Sequence, residues 1–174
     1  MSLPKIDGYS FWLTFDASSE QRLQREINRF AVEFGSVLFQ PHITLASVDG
    51  TIDEDKLIQA ANELNERFTP FTLDTGEIRC SSSPYQKLTI EIPHCDSLDL
   101  AYNLADQLLG GEVSKREYPH ISLIYSQDPC SSVEHFLEIE PQPLPEEVQC
   151  RGVSLVQCKG VPQQWITLKV GAFD

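Results

Sequence analysis

Hydrophobic and polar positions recur along this chain in two rhythms, and those rhythms predict its elements. Residues 9–15, "YSFWLTF", are rich in aromatic and β-favouring side chains and predict a first strand. Over residues 18–35, Leu23, Ile27, Phe30 and Phe34 recur at helical spacing. Ser18 with Gln21 matches a capping box there, and Gly35 stands where a C-terminal cap belongs. A strand over residues 42–48 follows. Thr51 and Glu54, again in capping-box spacing, open a second helix that runs through Leu57, Ala61, Leu64 and Phe68 and ends before Pro70. "FTLDTGEIRC", residues 71–80, is expected as one strand closing this half.

The second half repeats the order. In "QKLTIEI", Leu88, Ile90 and Ile92 alternate with polar residues as in a half-buried strand. Asp96 opens a helix carrying Leu100, Leu104 and Leu108, which Gly110-Gly111 ends, and a strand begins at His120. Ser131 and Glu134 are expected to cap a short helix, and "EPQPLPEE", residues 140–147, is a proline-punctuated connector. "VQCRGVSLVQC" and "WITLKVGAF", separated by a turn at "KGVPQQ", predict a hairpin. Each half thus reads strand, helix, strand, helix, strand, with one extra strand at the end of the second, and the approximate repeats are residues 9–80 and 86–170. The expectation is an α+β chain, residues 1–174 forming one bilobal domain. Its two pseudo-symmetric lobes have antiparallel-rich sheets that face a central groove, with the helices outside.

Within the repeat, one sentence is spelled twice: "PHITL" at residues 41–45 and "PHISL" at residues 119–123. Side chains alternate along a strand, so His42 and Thr44 share one face while Ile43 and Leu45 share the other. The same parity joins His120 to Ser122 and opposes Ile121 to Leu123. Pro41 and Pro119 suit the first position of a strand. Packing alone would preserve only the isoleucines and leucines, so the repeated histidine and hydroxyl point to chemistry. Two imidazoles and two hydroxyls across a groove suit in-line attack of water on a phosphodiester or cyclic phosphate. One neutral histidine takes the proton of the nucleophile, the other, protonated, donates to the leaving oxygen, and each transfer is typically worth ~10²- to 10⁴-fold. The Thr44 and Ser122 hydroxyls donate to phosphoryl oxygens. This scheme requires no metal and no cofactor. A two-histidine metal site is disfavoured, because neither H-x-H nor H-x-x-x-H spacing occurs and neither motif contains an acid. His94 and His135 lack a companion hydroxyl and are expected at the surface.

Composition narrows the substrate. The chain has 174 residues, 41% of them hydrophobic, and 26 acidic against 13 basic residues give a formal charge of -13. No Lys/Arg run exceeds Lys115-Arg116, so no footprint for a long nucleic acid is present, and a small substrate fits better. Lys115-Arg116, ahead of the second motif, and Lys87, on the facing half, are the candidate local cations, and hydroxyl donors are expected to carry most of the phosphate recognition. "MSLPKIDGYS" has no basic stretch followed by an apolar one, and no apolar run approaches a bilayer span. A cytoplasmic monomer without membrane contact is expected. The five cysteines, Cys80, Cys95, Cys130, Cys150 and Cys158, are odd in number and widely spaced, and are expected to be reduced thiols.

The pair His42-Ile43-Thr44-Leu45 and His120-Ile121-Ser122-Leu123 resembles the 2H phosphoesterase superfamily, named for two H-x-[T/S]-x motifs. The duplicated order and motif separation extend that resemblance over most of the chain. "YSFW" and "PHISLIY" are similar to its cyclic phosphodiesterase branch, which opens 2′,3′-cyclic nucleotides and ADP-ribose 1″,2″-cyclic phosphate without metal. The resemblance implies His42 and His120 as the acid–base pair, with His42 the acid and His120 the base. It also implies Thr44 and Ser122 as phosphate ligands and Trp12 and Tyr125 as aromatic neighbours of the nucleotide. Tyr125 lies on the wrong parity of a regular strand, and a β-bulge or a strand end is needed to turn it toward the site. "CSSSPYQ", residues 80–86, forms either a loop near the groove or a plain hairpin turn. Two alternatives stay open: an RNA-end phosphodiesterase or 2′-5′ RNA ligase-like enzyme of the same superfamily, and a non-catalytic nucleotide-binding module.

Overall fold

The computed structural model describes residues 3–111, 118–139 and 144–173. Lys115-Arg116 and residues 140–143 of the proline-punctuated connector lie outside them. The first half contains β1 (Ile6–Phe15), α1 (Ala17–Phe34), β2 (Ile43–Asp49), α2 (Glu54–Arg67), β3 (Phe71–Asp74) and β4 (Ile78–Cys80). The second contains β5 (Leu88–Glu91), α3 (Asp96–Leu108), β6 (His120–Ile124), α4 (Cys130–Ile139), β7 (Glu147–Gly160) and β8 (Ile166–Lys169). The strands form one antiparallel sheet in the order β3-β7-β1-β2-β6-β5-β4, with β8 added to β7. Among the described residues, four α-helices and eight antiparallel strands make the expected α+β architecture. Among the described residues no helix is long and apolar enough to cross a membrane.

The halves interdigitate. The two motif strands, β2 and β6, are neighbours at the middle of the sheet. β7 of the second half pairs with β1 of the first, and β4, the last strand of the first half, pairs with β5 of the second. Helices cross over as well: α1 packs on β6, and α3 packs on β2. The resulting core joins Phe11 and Leu13 of β1, Leu23 and Ile27 of α1, and the motif residues Ile43, Leu45, Ile121 and Leu123. These motif side chains are fully buried, as alternation requires of the apolar face.

Four local expectations are corrected. Residues 71–80 form two strands, because the chain exchanges partners in the middle. β3 pairs with β7, Thr75 N donates to Glu146 O, and then Gly76 N donates to Glu91 O (2.7 Å) at the start of the β4–β5 pairing. β3 and β4 stand at opposite ends of the strand order yet are joined by residues 75–77, so the sheet curls until its ends meet. At Gly76 a Cβ would lie 3.2 Å from Glu91 O, so glycine permits the close crossing. The helix caps also differ. Asp16, in extended conformation, caps α1 by accepting from Ser19 N (2.8 Å), and Asp53 caps α2 by accepting from Asp55 N (3.0 Å). Ser18 and Thr51 therefore do not cap, and α4 begins at Cys130, ahead of Ser131. Gly35, by contrast, takes the expected left-handed cap at φ 58°.

The hydrogen bonds from Ser19 hold the Asp16 carboxyl below its ordinary pKa, so its stabilising contribution is present above the unfolded-state value and is lost as pH falls through the folded one. Asp16→Ala is expected to destabilise the protein by about 1 kcal/mol, measured by urea unfolding at neutral pH. The difference should shrink in acid, where the wild-type cap is itself protonated.

Candidate active site

β2 and β6 touch through a single aligned pair, Ile43 opposite Ile121. Carried one residue either way, this antiparallel register sets His42 beside Ser122 and Thr44 beside His120. Such cross-strand neighbours lie roughly 4.5–5.5 Å apart at Cβ, and the diagonal pair, here His42 and His120, about 7–8 Å. The four groups thus bracket a space of phosphate size, and all four line a groove of about 600 Å³.

Each motif strand then carries a bulge at its leucine. On β2, Phe11 pairs with Ala46 and Trp12 with Thr44, so Leu45 is the extra residue; on β6, Leu88 pairs with Ile124 and Thr89 with Ser122, so Leu123 is. A bulge resets parity. Leu45 with Ala46, and Leu123 with Ile124, are consecutive fully buried residues, after which Ser47 and Tyr125 both line the groove. The bulge is therefore what turns Tyr125 toward the site, and the same device re-aims Ser47 at the equivalent place in the first motif.

Both imidazoles are anchored in the same way. His42 Nδ1 lies 2.7 Å from Gln40 O, and His120 Nδ1 lies 2.8 Å from Tyr118 O. A carbonyl oxygen only accepts, so each Nδ1 carries its hydrogen and Nε2 is left as the nitrogen able to take or give a proton. The environments of the two differ. His42 is 6% exposed and stacks face to face on Trp12, with centroids 3.7 Å apart and planes 7° from parallel; His120 is half-buried. Trp12 therefore holds His42, and its own ring is largely buried. The Ser122 hydroxyl donates to Tyr85 O (3.0 Å) and must turn from that carbonyl to donate to a ligand. The backbone of Thr44 is tied to α3, whose Tyr102 hydroxyl donates to Thr44 O (3.2 Å).

Other expected residues fall elsewhere. Lys87 is 3% exposed and does not line the groove, so it adds no cation there; the described lining has two carboxylates, Asp7 and Asp49, and no lysine or arginine. His94 pairs with Asp99 (2.8 Å) and His135 lies 3.9 Å from Glu138, both exposed and away from the groove. None of the five cysteines is in a disulfide. Burial pushes the Cys80 and Cys150 thiols up to about 12.

Sequence reasoning missed Ser10, Ser47, Tyr85 and Trp165, all of which line the groove. Ser47 was within reach of it, because it follows His42 by the same interval as Tyr125 follows His120. Tyr85 belongs to the segment expected as a loop or a turn, and it does face the groove, from the 3-10 turn Pro84–Gln86 between β4 and β5. Trp165 is delivered by the turn of the β7–β8 hairpin, and no motif announces it.

No protein-family model and no curated protein matches the sequence. Solved structures do match in fold. The protein TT0787 of Thermus thermophilus aligns at a TM-score of 0.62 and 16% identity, covering 95% of this chain and 97% of that one. A protein described only as a phosphoesterase aligns at 0.61 and 13% identity, covering 97% and 100%. E. coli LigT, solved in complex with 3′-AMP, aligns at 0.57 and 14% identity, covering 97% and 99%. Over nearly its whole length this chain therefore has the LigT-like fold, as the resemblance of its two motifs implied.

Proposed function

We propose that this chain is a 2H phosphoesterase that opens the cyclic phosphate of a small nucleotide by metal-independent two-histidine catalysis. The substrate is a nucleoside 2′,3′-cyclic phosphate or ADP-ribose 1″,2″-cyclic phosphate, and the enzyme works as a cytoplasmic monomer. One observation carries this reading: two imidazoles with matched Nδ1 anchors, each beside the hydroxyl of the other motif, line one groove. In the reaction, Nε2 of one histidine takes a proton from water as its oxygen bonds to phosphorus. The opposite P–O ester bond breaks, and the other histidine, protonated at Nε2, gives its proton to the departing ribose oxygen. The product is a phosphomonoester, and the two histidines end with their protonation states exchanged. Thr44 and Ser122 donate to the non-bridging oxygens, where charge accumulates.

A small substrate is favoured by the lining, which among the described residues has two carboxylates and no lysine or arginine, and by the net charge of -13. Both disfavour a long polyanion. Structures of E. coli LigT hold 3′-AMP and phosphate, ligands that suit the size of this groove. The test is a panel of nucleoside 2′,3′-cyclic phosphates, ADP-ribose 1″,2″-cyclic phosphate and a short RNA with a 3′-terminal cyclic phosphate, incubated in EDTA and resolved by chromatography. Opening of the mononucleotides or of the ADP-ribose derivative to a single monoester is expected. Opening of the RNA alone would move the assignment to an RNA-end enzyme, and binding without product would make the chain a nucleotide-binding module.

A further inference from the structure

The catalytic centre has approximate two-fold symmetry, but its flanks do not. At the position re-aimed by each bulge, the first motif has Ser47 and the second has Tyr125. Beside Ser47 lies Ser10 of β1, with the two hydroxyl oxygens 3.1 Å apart. That arm offers hydroxyls. Tyr125 instead stacks on Phe39, with centroids 3.7 Å apart and planes at 12°, and is 4% exposed, so its ring is a buried floor. Over it stand Tyr85, edge-on at 5.3 Å, and Trp165, edge-on at 6.2 Å. These two rings are half-buried and run near parallel, 5.9 Å apart at 29°. Trp165 also meets Trp12 edge-on at 6.1 Å, which links this wall to the Trp12–His42 stack.

Trp12 and Tyr125 thus support the site from below, and the rings a ligand can reach are those of Trp165 and Tyr85. Their positions are held. Trp165 N donates to Pro162 O (3.2 Å), Gln164 Oε1 accepts from Val161 N (3.1 Å), and Gly160 takes φ 81° to start the turn. The Trp165 indole N–H is buried without an acceptor among the described residues, which gives a bound ligand one hydrogen bond to gain as the ring adjusts.

We propose that Trp165 and Tyr85 form the platform on which a nucleobase stacks, opposite the Ser10–Ser47 hydroxyl arm. The two unlike arms orient a base-bearing cyclic phosphate between the two histidines. The proposal rests on the phosphoesterase reading and adds to it the requirement for a base. A base offers a π-face for stacking whatever its hydrogen-bond pattern, so the platform selects for nucleotides over base-free phosphates rather than for one base.

The experiment compares wild type, Trp165→Leu and Trp165→Tyr on adenosine 2′,3′-cyclic phosphate and on the base-free glycerol 1,2-cyclic phosphate. Trp165→Leu is expected to lose at least about 10-fold more kcat/KM on the nucleotide than on the glycerol ester, chiefly through KM. Trp165→Tyr, which keeps a ring, should restore most of the difference. Equal losses on both substrates, or no loss on either, would overturn the platform while leaving the phosphoesterase reading intact. If wild type opens neither substrate, that reading fails, and calorimetric binding still decides the platform. Trp165→Leu should then weaken adenosine 3′-monophosphate at least about 10-fold more than inorganic phosphate, and parallel effects on the two ligands would refute it.

Discussion

His120→Ala is expected to lower turnover of a cyclic phosphate by at least ~10²-fold while the fold persists, because a positioned proton-transfer group contributes ~10²- to 10⁴-fold. The residue suits the experiment. It is half-buried at the start of β6, and its Nδ1 bonds to Tyr118 O, two residues away, so alanine removes chemistry with little packing. His42 needs a different replacement, because it is buried against Trp12 and alanine would leave that ring unsupported. His42→Gln keeps most of the volume and is expected to cost a similar factor. Circular dichroism and thermal unfolding separate lost catalysis from lost structure in both. The rate of wild type against pH should be bell-shaped, since one histidine must be neutral and the other protonated, and its limbs belong to the coupled pair rather than to either residue. A monotonic profile, or near-normal turnover in either variant, would remove the two-histidine mechanism.

Asn65→Leu is expected to destabilise the fold strongly. Along its outer edge β7 pairs with β3 over residues 147–150 and with β8 over residues 155–157, which leaves a gap between them. Phe173 N donates to Arg151 O (2.6 Å) and Gly171 N to the Ser154 hydroxyl (3.3 Å) in this gap, and Asn65, 7% exposed on α2, serves Val153: Oδ1 accepts from Val153 N (2.8 Å), and Nδ2 donates to Val153 O (2.9 Å) and to Ala61 O. The side-chain amide acts as one residue of a missing strand. Leucine, of similar size, would strand a buried N–H and a buried C=O, at about 1–3 kcal/mol each. A loss of roughly 3 kcal/mol corresponds to about 6–12 °C in Tm for a chain of this length. A Tm within about 2 °C of wild type for Asn65→Leu would mean that these bonds contribute nothing net.

Asn65 also illustrates what sequence reading overlooks. By pattern it is a polar position on an amphipathic helix, and its role depends on a strand edge far along the chain. Trp165 is a similar case, since the predicted hairpin is present but only the curled sheet brings its turn over Tyr85 and Tyr125. The partner exchange at Gly76 was hidden for the same reason: "FTLDTGEIRC" is extended throughout, and extended segments look alike whichever strand they pair with.

What the sequence alone determined is whatever local periodicity and repetition encode. That covers the strand and helix order, the face of each motif shared by His42 with Thr44 and by His120 with Ser122, and the duplication that made these four residues one candidate site. The tertiary structure alone decided the Ile43–Ile121 register, the paired bulges that turn Ser47 and Tyr125 inward, and the unlike arms of the groove. Alternation is a property of each strand by itself, whereas register, bulges and ring contacts arise between segments distant in the chain, and their energies exist only once those segments meet.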